Sequence, residues 1–300
     1  MPENSPKTSS ARIGTVGVVG CGTMGIGIAI VAARGGMRTL IHDTDEPRIR
    51  KALDDAAAFL TRSVKIGRIS EEAASAALAR IVPALGMGAL AECGLVIEAI
   101  FEDQHAKEGL LARLDVVCSE KTILASNTST LSITRLGAAC KRPERVVGLH
   151  FCLPAQLMKL VEVTPGLNTA PDVFDRAWEF CLGVGQIPVE TKDTPGFILN
   201  HFVVPLNNRA IRMVEEKIAS AQDIDRAVKS AYGHAMGPLE LVDLVGVDTQ
   251  ERLCDAFYPI TLDSELSCPN LVRQMVAAGW LGKKAGRGFY SYDNNRTFGA

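Results

Sequence analysis

The sequence predicts an α/β protein, a doubly wound sheet followed by an all-helical C-terminal domain. Two observations carry this expectation. Across residues 13–192, short β-branched runs alternate with stretches of helical period, the pattern of strands covered on both faces by helices. After the turn-rich break Lys192-Asp193-Thr194-Pro195-Gly196 the strand series stops and helical periodicity takes over, so residues 193–300 are read as the second domain. Residues 1–12 (MPENSPKTSSAR) are polar and carry Glu3, which suits a disordered tail and not a signal peptide.

In chain order, strands are expected at 15–19, 38–42, 95–99, 122–126, 146–150, 160–163 and 187–190, all in one parallel sheet. Helical stretches are expected at 26–33, at 47–66 (period Ile49, Leu53, Ala56, Phe59, Leu60) and at 71–79, with Ser70 as N-cap. In the second domain a helical period runs through Leu199, Val203, Leu206, Ala210 and Met213, with Pro205 as a kink. Ser220-Ala221-Gln222-Asp223 resembles a capping box, and Pro238 suits the first turn of a helix over 239–245. Short aromatic segments follow only near 289–292.

Composition narrows the function classes. With 300 residues, 47% hydrophobic and 22% charged, the chain can bury two sizeable cores. A net charge of -2 gives no electrostatic case for nucleic acid or an acidic membrane surface, and no apolar run is long enough to span a bilayer. Eight cysteines occur without a C-x-x-C pair or an accompanying His cluster. That argues against a metal site and for buried thiols in a reducing, cytoplasmic setting.

The glycine loop is the first chemical signal. Gly20-Cys21-Gly22-Thr23-Met24-Gly25 follows a strand, opens a helix, and the next strand ends at Asp43. Glycines there allow a tight turn and close approach of a pyrophosphate to a helix N-terminus. A carboxylate at Asp43 would accept ribose hydroxyls and repel a 2′-phosphate, which favours NAD over NADP. The expected fold is therefore Rossmann-type, with Gly20, Gly22, Thr23, Met24, Gly25 and Asp43 at the cofactor.

Hydride transfer to such a cofactor requires a base for the alcohol proton. His150 ends one strand and Glu162 lies in the next, a partner able to orient the imidazole and stabilise its charged form. Ser126-Asn127-Thr128-Ser129 follows another strand and reads either as a polar edge of the site or as a capping cluster for a helix near Leu131. Taken alone, Asn200 reads as a packing or capping residue.

Seven motifs then occur in order. They are G-x-G-x-M-G, E-A-x-x-E at 98–102, S-N-T-S at 126–129, the His150-to-Glu162 segment, D-T-P-G-F-I-x-N at 193–200, G-P-L-x-L-x-D at 237–243 and G-K-K-x-G-x-G-F-Y at 282–290. Together they resemble the 3-hydroxyacyl-CoA dehydrogenases, including the short 3-hydroxybutyryl-CoA dehydrogenases, from Ile13 to Tyr292. The resemblance implies that His150 is the general base and Glu162 its partner. It implies that Ser129 and Asn200 hold the substrate oxygens, and that Glu102, Lys107, Ser129 and Lys284 stand near NAD. Reversible oxidation of an (S)-3-hydroxyacyl-CoA, and a homodimer built through the helical domain, are also implied.

Two departures from the family pattern bear on the substrate. His150-Phe151-Cys152-Leu153-Pro154 stands where the family has H-F-F-N-P, so an Asn hydrogen bond and an aromatic wall are missing. In the helix after Asp43, Phe59 and Ile66 fall where the family presents a Ser and a Lys to coenzyme A. Arg62, Lys65 and Arg68 lie close by, as phosphate contacts or as a solvated basic face. These departures leave open an acyl group on a carrier protein or a free hydroxy acid as substrate. A non-catalytic NAD-binding protein is the reading from another class, and Ser129, His150, Glu162 and Asn200 argue against it.

Overall fold

A computed structural model describes residues 13–292, arranged as two compact units that divide between Thr194 and Pro195. The expected tail at 1–12 lies outside the described residues. The first unit contains β1 (Thr15–Val19), α1 (Thr23–Arg34), β2 (Arg38–His42), α2 (Glu46–Lys65), α3 (Glu71–Arg80), β3 (Ile81–Pro83) and β4 (Leu95–Glu98). It continues with α4 (Gln104–Val117), β5 (Ile123–Ser126), α5 (Ile133–Ala138), β6 (Val146–Phe151), β7 (Leu160–Pro165), α6 (Pro171–Gly183) and β8 (Ile187–Glu190). The strands form one eight-stranded sheet in the order β3-β2-β1-β4-β5-β6-β7-β8. The chain reverses its direction of travel across the sheet between β1 and β4, the place where a doubly wound sheet opens a crevice for ligands.

Alternation along the strands builds two cores. Val16, Val18, Ile97 and Val147 pack with α1, α2, α3 and α6, while Val19, Val96, Leu124 and Val146 pack with α4 and α5. Burial of both faces explains why the strands read as continuous apolar runs.

The expectation of a wholly parallel sheet is corrected at its far edge. β7 runs antiparallel to β6, and β8 is parallel to β7. Only residues 152–159 join β6 to β7. That connection is too short for a parallel crossover, which needs a dozen or more residues. The three-residue strand β3 was not expected, because Ile81-Val82-Pro83 is too short for its period to stand out.

The second unit is helical: α7 (Leu199–Glu215), α8 (Ala221–Tyr232), α9 (Pro238–Val245), α10 (Val247–Thr261) and α11 (Asn270–Ala277). Pro205 lies inside α7. Ser220 caps α8 by accepting from the Asp223 amide, but its hydroxyl also donates to the Asp223 carboxylate, so only half of the expected capping box forms. The aromatic segment at 289–292 is joined by one isolated bridge, Ser291 with Arg287, which itself bridges Gly282.

Candidate active site

At the end of β1 the chain turns through Gly20, whose φ of +99° is left-handed. A Cβ there would stand 2.7 Å from the Ala99 carbonyl oxygen, and one on Gly25 would stand 1.7 Å from that of Gly20. Both positions therefore exclude any side chain. Gly22 differs, because a Cβ on it would meet nothing within 4 Å. It precedes α1 as an N-cap without a side-chain cap, so the first-turn amides of Thr23, Met24 and Gly25 lie at an open helix N-terminus. Asp43 accepts from the Cys21 amide at 2.9 Å and from the Asp45 amide at 3.1 Å, which fixes its carboxylate beside the loop. Burial, and then the charge of Asp43, push the Cys21 thiol up to about 12, so it stays protonated.

Gly20, Gly22, Asp43, Ala99 and Phe101 line a cavity of about 500 Å3. A dinucleotide fits these residues: open amides for a pyrophosphate, and carboxylate lone pairs for a ribose.

The expected base and its expected partner come from the antiparallel pair. His150 and Glu162 are directly opposite in the β6–β7 register. Leu149 and Phe151 point into the core on one face, so alternation turns His150 to the other, where Glu162 also points between Val161 and Val163. The His150 Nδ1 lies 2.7 Å from Glu162 Oε2, and Nε2 lies 3.0 Å from Ser129 Oγ. Glu162 is fully buried and His150 is 7% exposed. An unprotonated carboxylate accepts only, so Nδ1 donates to it and Nε2 is left as the acceptor that faces Ser129.

The Ser129 loop is held from below. Glu102 accepts from the Ser129 amide at 2.8 Å, the Thr130 amide at 2.9 Å and the Thr128 hydroxyl at 2.6 Å. Burial raises the Glu102 pKa, but the charge of Lys107 and these hydrogen bonds outweigh it and hold the carboxyl below its ordinary value. Lys107 is 1% exposed. Its ammonium lies 2.8 Å from Glu98 Oε2 and 3.4 Å from Glu102 Oε2. Lys107 thus supports the loop from inside the protein and does not line its surface. Glu98 also accepts from the Ser126 hydroxyl and the Ile100 amide.

Sequence reasoning missed three supports. Glu98 was recognised only as part of a motif. Asn127 accepts from the Phe151 amide at 2.9 Å, which ties the loop to the strand carrying His150. Asp193 accepts from the Ser132 hydroxyl and the Ile133 and Thr134 amides. With Ser132, it caps α5, which begins at Ile133 and not near Leu131. The S-N-T-S segment is therefore not that helix's cap. An acid just before the Thr-Pro-Gly break was the one available signal for Asp193.

Cys152 is 5% exposed, and burial, then Glu162, push its thiol up to about 12, so it takes no part as a nucleophile. Its neighbour Leu153 is 41% exposed.

In the second unit, Asn200 is buried in the first turn of α7, where its amide donates to the Gly196 carbonyl. Lys284 pairs with Asp248 at the surface. The two C-terminal motifs meet around carboxylates. Asp225 accepts from the Leu239 and Glu240 amides and the Tyr290 hydroxyl, standing in for the side chain that Gly237 lacks as N-cap of α9. Asp243 accepts from the Phe289 and Tyr290 amides and the Tyr292 hydroxyl. A Cβ on Gly288 would fall 2.0 Å from Asp243 Oδ1, which explains the glycine before Phe289.

Among the described residues, no helix is long and apolar enough to cross a membrane.

Family models agree with this geometry. Residues 15–194 match the 3-hydroxyacyl-CoA dehydrogenase NAD binding domain, and residues 196–292 match the 3-hydroxyacyl-CoA dehydrogenase C-terminal domain. The chain is 41% identical over 286 residues to the 3-hydroxyadipyl-CoA dehydrogenase of Escherichia coli (strain K12), covering 95% of this chain but 60% of that protein. It is 40% identical over 284 residues to the 3-hydroxybutyryl-CoA dehydrogenase of Bradyrhizobium diazoefficiens, covering 94% of this chain and 97% of the relative. The crystal structure of FadB2 from M. tuberculosis superposes with a TM-score of 0.92 at 39% identity, covering 94% of this chain and all of that one. The chain belongs to the 3-hydroxyacyl-CoA dehydrogenase family of NAD-dependent oxidoreductases.

Proposed function

We propose that the protein catalyses the reversible oxidation of a short-chain (S)-3-hydroxyacyl-CoA to the 3-oxoacyl-CoA, with His150 as general base. The observation that carries this reading is the chain of contacts from Ser129 Oγ through His150 to buried Glu162. When bound, NAD supplies a nicotinamide ring that accepts the hydride from C3. The open glycine loop and Asp43 hold the cofactor. The Nε2 of His150 takes the C3 hydroxyl proton, and Glu162 keeps the ring in the acceptor tautomer and stabilises the imidazolium that forms. Ser129, held by Glu102, donates to the developing oxygen at the same position. Lys107 acts through Glu98 and Glu102 as a positioning residue. Asn200 and Lys284 keep the roles that the resemblance implies, to be tested by Asn200→Ala and Lys284→Ala.

Loss of NADH absorbance with acetoacetyl-CoA, longer 3-oxoacyl-CoAs, a carrier-linked thioester and free 3-oxo acids tests the reading. Turnover fastest with acetoacetyl-CoA is expected. Turnover of free acids alone would sink the thioester assignment, and NADH binding without any turnover would favour a non-catalytic role.

The eight cysteines are all free, which supports a cytoplasmic location. A homodimer through the helical unit is supported by exposed apolar side chains there, among them Phe202, Ile260 and Leu262. Light scattering at the mass of one chain would overturn it.

A further inference from the structure

Two of the eight cysteines meet inside the helical unit. Cys254 lies in α10 and is fully buried, while Cys268, 14 residues later and just before α11, is partly exposed. Both pack into one apolar cluster with Val204, Phe257 and Leu266, and their thiols hydrogen-bond to each other. The function proposed above uses neither.

Helix α7 holds the pair together. Asn208 Nδ2 lies 3.4 Å from the Cys254 sulfur, 2.9 Å from the Glu265 carbonyl oxygen and 3.3 Å from that of Ser267. Arg212 Nη2 donates to the same Ser267 carbonyl at 2.8 Å. The residue before Cys268 is thus fixed against the helix that also contacts Cys254. With both backbones held in place, closing the two sulfurs to a bond of about 2.05 Å asks for side-chain movement only.

The electrostatics also set this pair apart. Burial raises the thiol pKa of Cys21, Cys93, Cys118, Cys140, Cys152 and Cys181. Cys254 is instead held below its ordinary value, first by the hydrogen bond with Cys268, then by Asn208 and by the charge of Arg212, against burial and the charge of Asp255. The same hydrogen bond, then burial, raise Cys268, so the proton that the pair keeps sits on the more exposed sulfur. Cys93 also feels the charge of Cys118, but both are buried and burial raises both.

We propose that Cys254 and Cys268 form a reversible disulfide site that exchanges with low-molecular-weight disulfides. The partly exposed Cys268 is the entry point. The Cys254 thiolate takes the Cys268 proton along their hydrogen bond, and the Cys268 sulfur attacks one sulfur of the incoming disulfide. That S–S bond breaks. Cys268 keeps one half as a mixed disulfide, and the other half leaves as a thiolate that takes the proton from Cys254. The Cys254 thiolate then attacks the Cys268 sulfur and expels the second half as a thiolate. Two electrons have passed from the cysteine sulfurs to the incoming disulfide, which ends as one thiol and one thiolate. Disulfides that form in a reducing compartment are transient and redox-sensing, which is the behaviour assigned to this pair. The bond ties the span 254–268, with its exposed Ile260 and Leu262, onto the core of the helical unit.

The test equilibrates the native protein in glutathione buffers of increasing glutathione disulfide content, then quenches in acid, alkylates and digests with trypsin. No Lys or Arg lies between Arg252 and Arg273, so residues 253–273 are released as one peptide that contains these two cysteines and no other. The expected result is loss of alkylation and of two hydrogens from that peptide, at a glutathione disulfide content at least tenfold below that which modifies any other cysteine. Dithiothreitol should restore both alkylation sites. The cross-linked protein should melt several degrees above the reduced one, because the bond constrains the unfolded chain. Cys254→Ser should stop with one glutathione on Cys268, and Cys268→Ser should take up glutathione at least tenfold more slowly.

A native wild type whose 253–273 peptide stays doubly alkylated overturns the site, as does a bond that forms only in urea. A melting temperature lowered by the cross-link would show that the native packing does not accommodate the bond, and also overturns it. Faster glutathione uptake by Cys268→Ser than by Cys254→Ser would overturn the assigned entry sulfur. The wild-type peptide map decides the site even where a variant fails to fold.

Discussion

The carboxylate beneath Ser129 and the one behind the 289–292 segment both gather backbone amides, but only the first has a cation beside it. In the first unit, Glu102 catches the Ser129 and Thr130 amides while Lys107 sits between Glu98 and Glu102. In the second, Asp243 catches the Phe289 and Tyr290 amides with Asp225 nearby and only tyrosine hydroxyls to help. The consequences are opposite. Glu102 is held below its ordinary pKa, whereas burial carries Asp243 above its own despite three donors, and Asp225 adds to the rise. A cation helps keep the carboxylate beneath the Ser129 loop charged. Where the task is only to close a hairpin onto a helix, the weaker arrangement suffices.

The comparison can be broken at several points. The largest expected effect is on chemistry: His150→Ala should lower kcat by about 10²–10⁴ while NADH affinity stays near wild type. Near-normal turnover would remove His150 as the base. Next, Lys107→Met leaves buried Glu98 without its counter-charge and should cost about 3–5 kcal/mol in urea unfolding. A cost below about 1 kcal/mol would mean that the cation is not what distinguishes the two networks. Asp243→Ala strands two amides and a hydroxyl and should cost about 2–3 kcal/mol, with no direct effect on hydride transfer. Tyr292→Phe removes one donor to the same carboxylate and should cost about 1 kcal/mol.

The pH dependence should separate the two carboxylates by sign. Glu102 has a folded pKa below its unfolded value of 4.5, so its contribution is present above 4.5 and lost as pH falls through the folded value. Asp243 has a folded pKa above its unfolded 3.8, so its contribution is full below 3.8 and is lost as pH rises through the folded value. Unfolding midpoints of Glu102→Gln and Asp243→Asn, measured from roughly pH 3 to 7, should flatten opposite limbs of the wild-type profile. Flattening of the same limb by both would contradict the comparison.

Much of the site was legible before the fold. The glycine loop, Asp43, His150, Glu162 and Ser129 are all named by residue type and by their place in or just beyond strands. Lys107 was legible as important but not as buried, because its motif records spacing and not depth. Glu98 and Asp193 were obscured for a related reason. A carboxylate that binds backbone amides far along the chain leaves no periodic trace near itself.

Alternation and glycine spacing determined from sequence alone that strands alternate with helices, that a dinucleotide loop opens the first helix, and that a helical unit follows. They do so because side-chain period and left-handed backbone are local properties of the chain. Only the tertiary structure decided that β7 turns back against β6. That reversal sets His150 opposite Glu162, since strand direction depends on what the sheet edge and the eight-residue link at 152–159 allow. The pairing of His150 with Glu162 is therefore a consequence of register, a long-range property that no single stretch of sequence contains.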